Sequence, residues 1–580
     1  MRTTRFNKLF TKIGLMRPAV LLLFFIAQAS ANANSDSNDT ATTVTTFIAG
    51  QQNSLLTNPD FSEHLEQLSK LYESNNNQLL WMNETRSQSS IDTALTLLSN
   101  ANTDGLDPKD YDADILRQNF QLLQAMPQAT TLELVKFDTA LSISLLRFVN
   151  DVHHGRVKPQ QLSYPNEFGN KQILDAASLI KQNLEQQTLA QLPEIAAPKL
   201  KQYQLLKQAL THYRQQPKEA NFQPLIFQKA LRPGDHHSQL AELRRRLIAA
   251  GALSPEAAAP DSNSENIYSQ ELQEGVKAFQ RQNGLQVDGI IGRETADRLN
   301  QTVDDKILQI ELAMERLRWI PNNITGPVIL VNIPAFQLWA FNSMDAPDAL
   351  NMKVIVGKAR KNQTPMLFEE MKYLEFMPYW NIPRSIMNKE ILPKLYNDLG
   401  YLQSEDIELV QRYADQEAST WNTLFDDIRR GRVRARQRPG NKNPLGKVKF
   451  VFPNKEDVYL HDTSSPRLFN RSQRDLSHGC VRVANASKLA EFVLSNQPET
   501  HWDEEAIQQA MAGSKTRRVN LKKPIPVLFF YTTSFVDQNN QIHFYRDIYD
   551  QDTALKKALG KSSSNQNDNS LLTAEAATPS

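Results

Sequence analysis

One residue in 580 is cysteine. A single thiol cannot build an internal disulfide framework, so stability must come from packed cores, and the length suffices for about three or four domains. Charge of one sign is also missing. The 65 basic and 64 acidic side chains leave a formal net charge of +1, which excludes an overall field that would draw in nucleic acid or an anionic membrane. Long apolar runs are lacking. The run AVLLLFFIA at 19–27 falls short of the ~20 apolar residues that span a bilayer, and no other segment reaches that length. A metal centre has no evident ligand set. His153 and His154 stand side by side after an apolar helical stretch, with no carboxylate or cysteine at ligand spacing, and read as a polar helix end.

What is present is ordinary in bulk: 40% hydrophobic and 22% charged residues describe a globular chain and single out no function. The N-terminus is more specific. Arg2, Arg5, Lys8, Lys12 and Arg17 precede the short apolar run, and Ala29-Ser30-Ala31 follows it with small residues at cleavage-site spacing. This reads as a secretory signal peptide over 1–31, with an uncleaved anchor as the alternative. An exported chain with one thiol has no partner for it in its own sequence, which favours chemistry over structure for that thiol.

The thiol belongs to Ser477-His478-Gly479-Cys480-Val481-Arg482, and His461 lies upstream at the end of a strand-like run. A thiolate is a strong nucleophile and an imidazole is the usual means of generating it. Gly479 leaves room for a substrate to approach the backbone. Flanking polar residues argue against the alternative of a small buried apolar side chain. Tyr459, two residues before His461, is expected on the same strand face, lining the site or simply packing.

Along the chain, 32–46 is small and polar and reads as a linker. From 47 to 230 apolar residues recur at three and four spacing, predicting a helical scaffold domain, with the stretch Phe137 to Val152 at its centre. A compact unit follows at 235–300, with three predicted helices and a turn at Asp288-Gly289. From about Val328 the period becomes two, and strands are predicted at 328–333, 336–341, 352–356, 372–376, 447–452, 457–461, 526–531 and 542–545. An insertion at 386–446 breaks this rhythm. It carries a predicted helix (SEDIELVQRYADQEAS) and an Arg-rich end that includes Arg432, Arg434 and Arg436. That end reads either as a solvated edge strand or as an electropositive lid for carboxylate-rich peptides. The tail 556–580 is of low complexity and expected to be disordered.

Two stretches carry a family resemblance. GVKAFQRQNGLQVDGIIGRET (275–295) resembles the peptidoglycan-binding type 1 domain. His461-Asp462-Thr463 followed by Ser477-His478-Gly479-Cys480-Val481-Arg482, with Thr364-Pro365 and Pro378-Tyr379-Trp380-Asn381-Ile382-Pro383 upstream, resembles the YkuD-type L,D-transpeptidase family. The order of the parts is similar to its large YcbB-like subgroup. The implied fold is multidomain α+β, with a β-rich catalytic domain at 305–550, an inserted lid, a three-helix binding module and the helical scaffold. The resemblance implies Cys480 as nucleophile, His461 as general base, and backbone N–H groups of His478, Gly479 and Cys480 as an oxyanion hole. It gives Ser477 a part in orienting His461, with a purely structural cap as the alternative, and Arg482 a part in holding the loop or meeting a substrate carboxylate, with an internal salt bridge as the alternative.

The implied reaction joins tetrapeptide stems of peptidoglycan by 3→3 diaminopimelate crosslinks, through a thioester on Cys480 and with no metal or organic cofactor. The implied compartment is the periplasm, or its inner-membrane face if the signal stays as an anchor. The implied partners are peptide stems and glycan strands, together with other cell-wall synthesis proteins. No nucleic acid and no membrane span in the mature chain are expected. Three alternatives remain: a lipoprotein-attaching transpeptidase, a Cys-His peptidoglycan hydrolase, and a wall-binding scaffold without activity.

Overall fold

The computed structural model describes residues 39–83, 88–216, 223–255, 266–321, 324–343, 349–398, 400–411, 421–498 and 502–561. The expected signal segment, the linker before residue 39 and the tail after 561 lie outside them. Residues 39–49 are helical, with Val44 and Ile48 buried. The linker expected as far as 46 therefore gives way to helix at 39, where two apolar residues four apart supply a face to bury. At the other end, helix Gln551–Ala558 buries Leu555, so order extends past the tail boundary expected at 556. Among the described residues no helix is long and apolar enough to cross a membrane.

These residues divide into two compact units. The first takes in 39–102, 106–151 and 173–196 and is helical. Its centre is the helix Thr131–His154 as far as Asp151, where Phe137, Leu141, Leu145 and Phe148 are buried. Asp138 is fully buried among them. It accepts hydrogen bonds from the Tyr72 hydroxyl (2.6 Å) and from the backbone N–H groups of Leu80, Trp81 and Met82 (2.7–2.8 Å). Four donors on one carboxyl make its burial tolerable.

The second unit holds 103–105, 152–172 and 197–561. Helix Lys201–Gln215, expected in the scaffold, packs here against helix Val303–Leu317. The module at 235–300 is three helices, Leu240–Ala249, Gln270–Gln282 and Arg293–Leu299, around Leu243, Leu247, Leu272, Val276 and Ile291. Its motif residues have a folding task. The buried Gln280 amide donates to Asp288 Oδ1, the Ile290 carbonyl and Thr295 Oγ1, and accepts from the N–H groups of Asp288 and Gly289. Gly289 has φ +68°, and a Cβ there would lie 2.6 Å from Gln273 Cγ, so the turn requires glycine.

The remainder is a sheet domain with an insertion. Its strands are β1 (Val328–Asn332), β2 (Gln337–Phe341), β3 (Ala349–Gly357), β4 (Leu367–Phe376), β5 (Trp380–Asn381), β6 (Ile407–Gln411), β7 (Val433–Gln437), β8 (Val448–Val451), β9 (Leu460–His461), β10 (Asp475–Ser477), β11 (Val481–Val483), β12 (Arg517–Phe530), β13 (Ser534–Val536) and β14 (Ile542–Phe544). The main sheet runs β10-β3-β11-β9-β8-β4-β12-β1-β2, and a further β2–β3 pairing closes it on itself. Closure of the ring from β3 to β2 removes their free edges, leaves β10 appended to β3, and turns alternate residues toward an enclosed core. Between β4 and β8 the insertion forms its own sheet, β5-β7-β6, over a separate core of Ile382, Met387, Ile391, Leu395, Ile428 and Val433. The helix expected across 404–419 is instead strand at Ile407–Gln411, and 412–420 lie outside the described residues. IELVQ has a period of two: Ile407 and Leu409 turn to the core while Glu408 turns to arginines.

Candidate active site

Strand register assembles the site. β9 and β11 are parallel neighbours, with Leu460 opposite Val481 and His461 opposite Arg482. The Val481 N–H donates to the Tyr459 carbonyl (3.1 Å), which sets Cys480 beside Tyr459. Alternate residues point to opposite faces. Leu460, Val481 and Val483 are fully buried in the core, so Tyr459, His461, Cys480 and Arg482 share the other face. β8 adds one more, because Lys449 pairs with His461.

His461 is buried, and its Nδ1 lies 2.6 Å from the Asp462 carbonyl. A ring nitrogen that close to a carbonyl carries the proton, which leaves the lone pair on Nε2. Burial, with the Arg482 charge second, lowers its pKa to about 3. The ring is therefore neutral at physiological pH and able to accept a proton. Burial raises the Cys480 thiol, opposed by hydrogen bonds from the Tyr459 N–H and hydroxyl and by the Lys449 charge. The resting pair is thus thiol and neutral imidazole rather than thiolate and imidazolium.

The turn that carries Cys480 is held from within and from behind. The Ser477 hydroxyl accepts from the Gly479 N–H (3.2 Å) and donates to the Cys480 carbonyl (2.6 Å). Ser477 is thus committed to the turn, not to the His461 ring as expected. The Gly479 N–H is committed as well, and is no free oxyanion donor. Among the described residues the Cys480 N–H meets no acceptor. Gly479 has φ +117°, a backbone that only glycine adopts readily. Its carbonyl accepts from the buried Thr364 hydroxyl (2.7 Å). The His478 side chain turns the other way, with Nε2 2.7 Å from Glu390 of the insertion.

A thiol and a neutral imidazole share one sheet face, with a glycine turn behind them, and the comparisons cover the stretch that holds them. Residues 326–520 match the family model of the YkuD L,D-transpeptidase catalytic domain. The chain carries a YkuD domain. Residues 236–299 match a peptidoglycan-binding domain, and 66–210 a scaffold domain. The chain is also similar to a Haemophilus influenzae protein named "Putative L,D-transpeptidase", 32% identical over 253 residues. That match covers 43% of this chain and 49% of the relative, so the chain spans about half the relative's length.

Within the YkuD domain the remaining expected site residues separate. Arg482 reaches the site face, and its buried Nε has no hydrogen-bond partner among the described residues. The three lid arginines differ in their partners. Arg432 pairs with Asp427 (2.6 Å), and Arg436 pairs with Glu408 and stacks 4.2 Å over Tyr379. Arg434 is exposed, with no ion pair among the described residues. β7, which carries Arg434 and Arg436, is the central strand of its sheet rather than an edge.

Three residues of the site went unread in the sequence. Thr364 was noticed only as part of a motif. Its hydroxyl also accepts from the Gly357 N–H (2.8 Å), and its own N–H donates to the Tyr549 hydroxyl (3.1 Å). Tyr549 in turn donates to the Gly357 carbonyl (2.6 Å). Lys449, above the Tyr459 ring at 4.0 Å, reads in sequence as one more strand lysine. Hydrogen bonds between distant segments show where Thr364 and Tyr549 point, and the β8–β9 register shows it for Lys449.

Proposed function

We propose that this chain is an L,D-transpeptidase that forms 3→3 crosslinks between tetrapeptide stems of peptidoglycan. The observation that carries the reading is the shared face of Tyr459, His461, Cys480 and Arg482, set by the β9–β11 register. His461 Nε2 takes the Cys480 proton as the sulfur attacks the carbonyl at the L-centre of diaminopimelate, stem position three. The Cys480 N–H, which meets no acceptor among the described residues, donates to the developing oxyanion. The proton passes to the departing D-alanine amine, leaving a thioester. The side-chain amine of diaminopimelate on a neighbouring stem then attacks, gives up a proton to His461 and frees the thiol. Arg482, with an unsatisfied Nε at this face, fits a stem carboxylate.

The peptidoglycan-binding match supports the polymer as partner, and the basic, apolar and small-residue order of 1–31 supports the periplasm as compartment. The test is mass spectrometry of muropeptides after the protein is incubated with tetrapeptide-stem sacculi. New 3→3 dimers that vanish with Cys480→Ala are expected. Release of stems without dimers would replace the reading with a hydrolase, and attachment of a lipoprotein would move it to that branch of the family.

A further inference from the structure

The Cys480 sulfur must become negative in a site where burial opposes it, and its base is held neutral. A permanent positive charge is therefore wanted nearby. We propose that Lys449 is a positioning residue that presents this charge to the ionising sulfur through Tyr459. The inference rests on Cys480 being the nucleophile of the reading above.

Four observations support it. Pairing with His461 places Lys449 on the site face, while its neighbour Phe450 is buried with Leu460 on the other. Its ammonium lies 4.0 Å above the Tyr459 ring, a cation–π contact. Tyr459 in turn lies beside Cys480 in the β9–β11 register, where its N–H and hydroxyl favour the ionised sulfur. Finally, Lys449 has no carboxylate within ion-pair distance among the described residues. Glu375, the acid that acts most on it, is engaged by Arg518 at 2.8 Å. A half-buried ammonium without a counterion costs stability unless its charge is used.

The other groups around the sulfur act differently. The Asp457 carbonyl accepts a hydrogen bond from the thiol at 3.7 Å, and its carboxylate opposes ionisation. Arg482 couples to the sulfur as well, but it is also the strongest charge opposing a proton on His461. His478 faces Glu390. Lys449 also opposes a proton on His461, so its effect has to be read at the sulfur itself rather than from turnover.

With one cysteine in the chain, alkylation by iodoacetamide, followed by intact mass against pH, reports on Cys480 alone. Lys449→Met is expected to move the inflection up by about one unit or more, as when an opposite charge a few ångströms away is removed. Alkylation near pH 7.5 should slow roughly tenfold in step. Lys449→Arg, which keeps the charge, should restore the wild-type profile. Lys449→Gln gives the same reading should the methionine variant fail to fold. Superimposable profiles for wild type and a folded Lys449→Met or Lys449→Gln would overturn the inference. Alkylation needs no stem peptide, so a Lys449-dependent inflection without 3→3 dimers would sink the proposed reaction and leave this inference standing.

Discussion

The Cys480 sulfur is the atom on which the proposed reaction depends, and its replacement gives the sharpest expectation. Cys480→Ala and Cys480→Ser should both abolish dimer formation with the thermal midpoint nearly unchanged, because a serine hydroxyl is too weakly acidic for a site built around a thiol. Substantial dimer formation by either variant would remove Cys480 from the mechanism. His461 makes a separate prediction about stability. Its pKa is about 3 in the folded chain, below the ordinary histidine value of about 6.5. Between these values the unfolded chain binds the extra proton, so stability is fully present above pH 6.5 and is lost as pH falls toward 3. His461→Gln should flatten that loss by on the order of 1 kcal/mol per pH unit, measured by urea unfolding from pH 6.5 to 4.5. Equal slopes in the two proteins would show that the ring is not buried neutral.

Elements position these residues, and here sequence and structure part company. Cys480, His461 and Tyr459 were legible because a rare residue type and a two-residue spacing single them out. Lys449 and Thr364 were not, because the one depends on which strand sits beside which and the other on hydrogen bonds to distant segments, and neither leaves a local mark. The insertion shows the same limit. Its Arg-rich end was visible, but the partners Asp427 and Glu408 that absorb part of that charge were not. The lid arginines should therefore act unequally. Arg436→Ala should speed amide exchange at Ile407–Gln411, since it removes the ion pair to Glu408, with a stability cost of about 1 kcal/mol or less. Arg434→Ala should leave exchange unchanged and alter only the salt dependence of donor KM. Identical exchange in both variants would make the pairing irrelevant to lid order. For the turn, Thr364→Val should lower kcat by about tenfold or more while KM holds, and Thr364→Ser should recover most of it. A wild-type kcat in the valine variant would free the turn from its support.

Over the whole molecule, the alternation of helical and strand periods made the order of parts readable, while their edges were not. Helix begins at 39 inside the expected linker, and helix Lys201–Gln215 sits with the sheet domain's unit because its apolar residues meet helix Val303–Leu317. The module at 235–300 contains no residue of the Cys480 face. Deleting it should weaken sacculus binding more than it slows turnover of a small soluble donor, since its contribution is local concentration on polymer. Equal sedimentation with sacculi for the deleted and intact proteins would reduce it to a spacer.

The Tyr549 hydroxyl reaches Thr364 and Gly357 from a segment past residue 520, where the family match ends. That segment is tied down in its turn: Tyr531 donates to Asp547, and Asp552 receives Arg316 and Thr533. A chain cut after residue 545 would keep every residue of the motif and every strand of the sheet, and lose the brace behind the turn. The C-terminal segment is thus a remote handle on the turn that carries Cys480. Whatever lifts helix Gln551–Ala558 away, a protease or a competing peptide, should slacken the turn without approaching the sulfur.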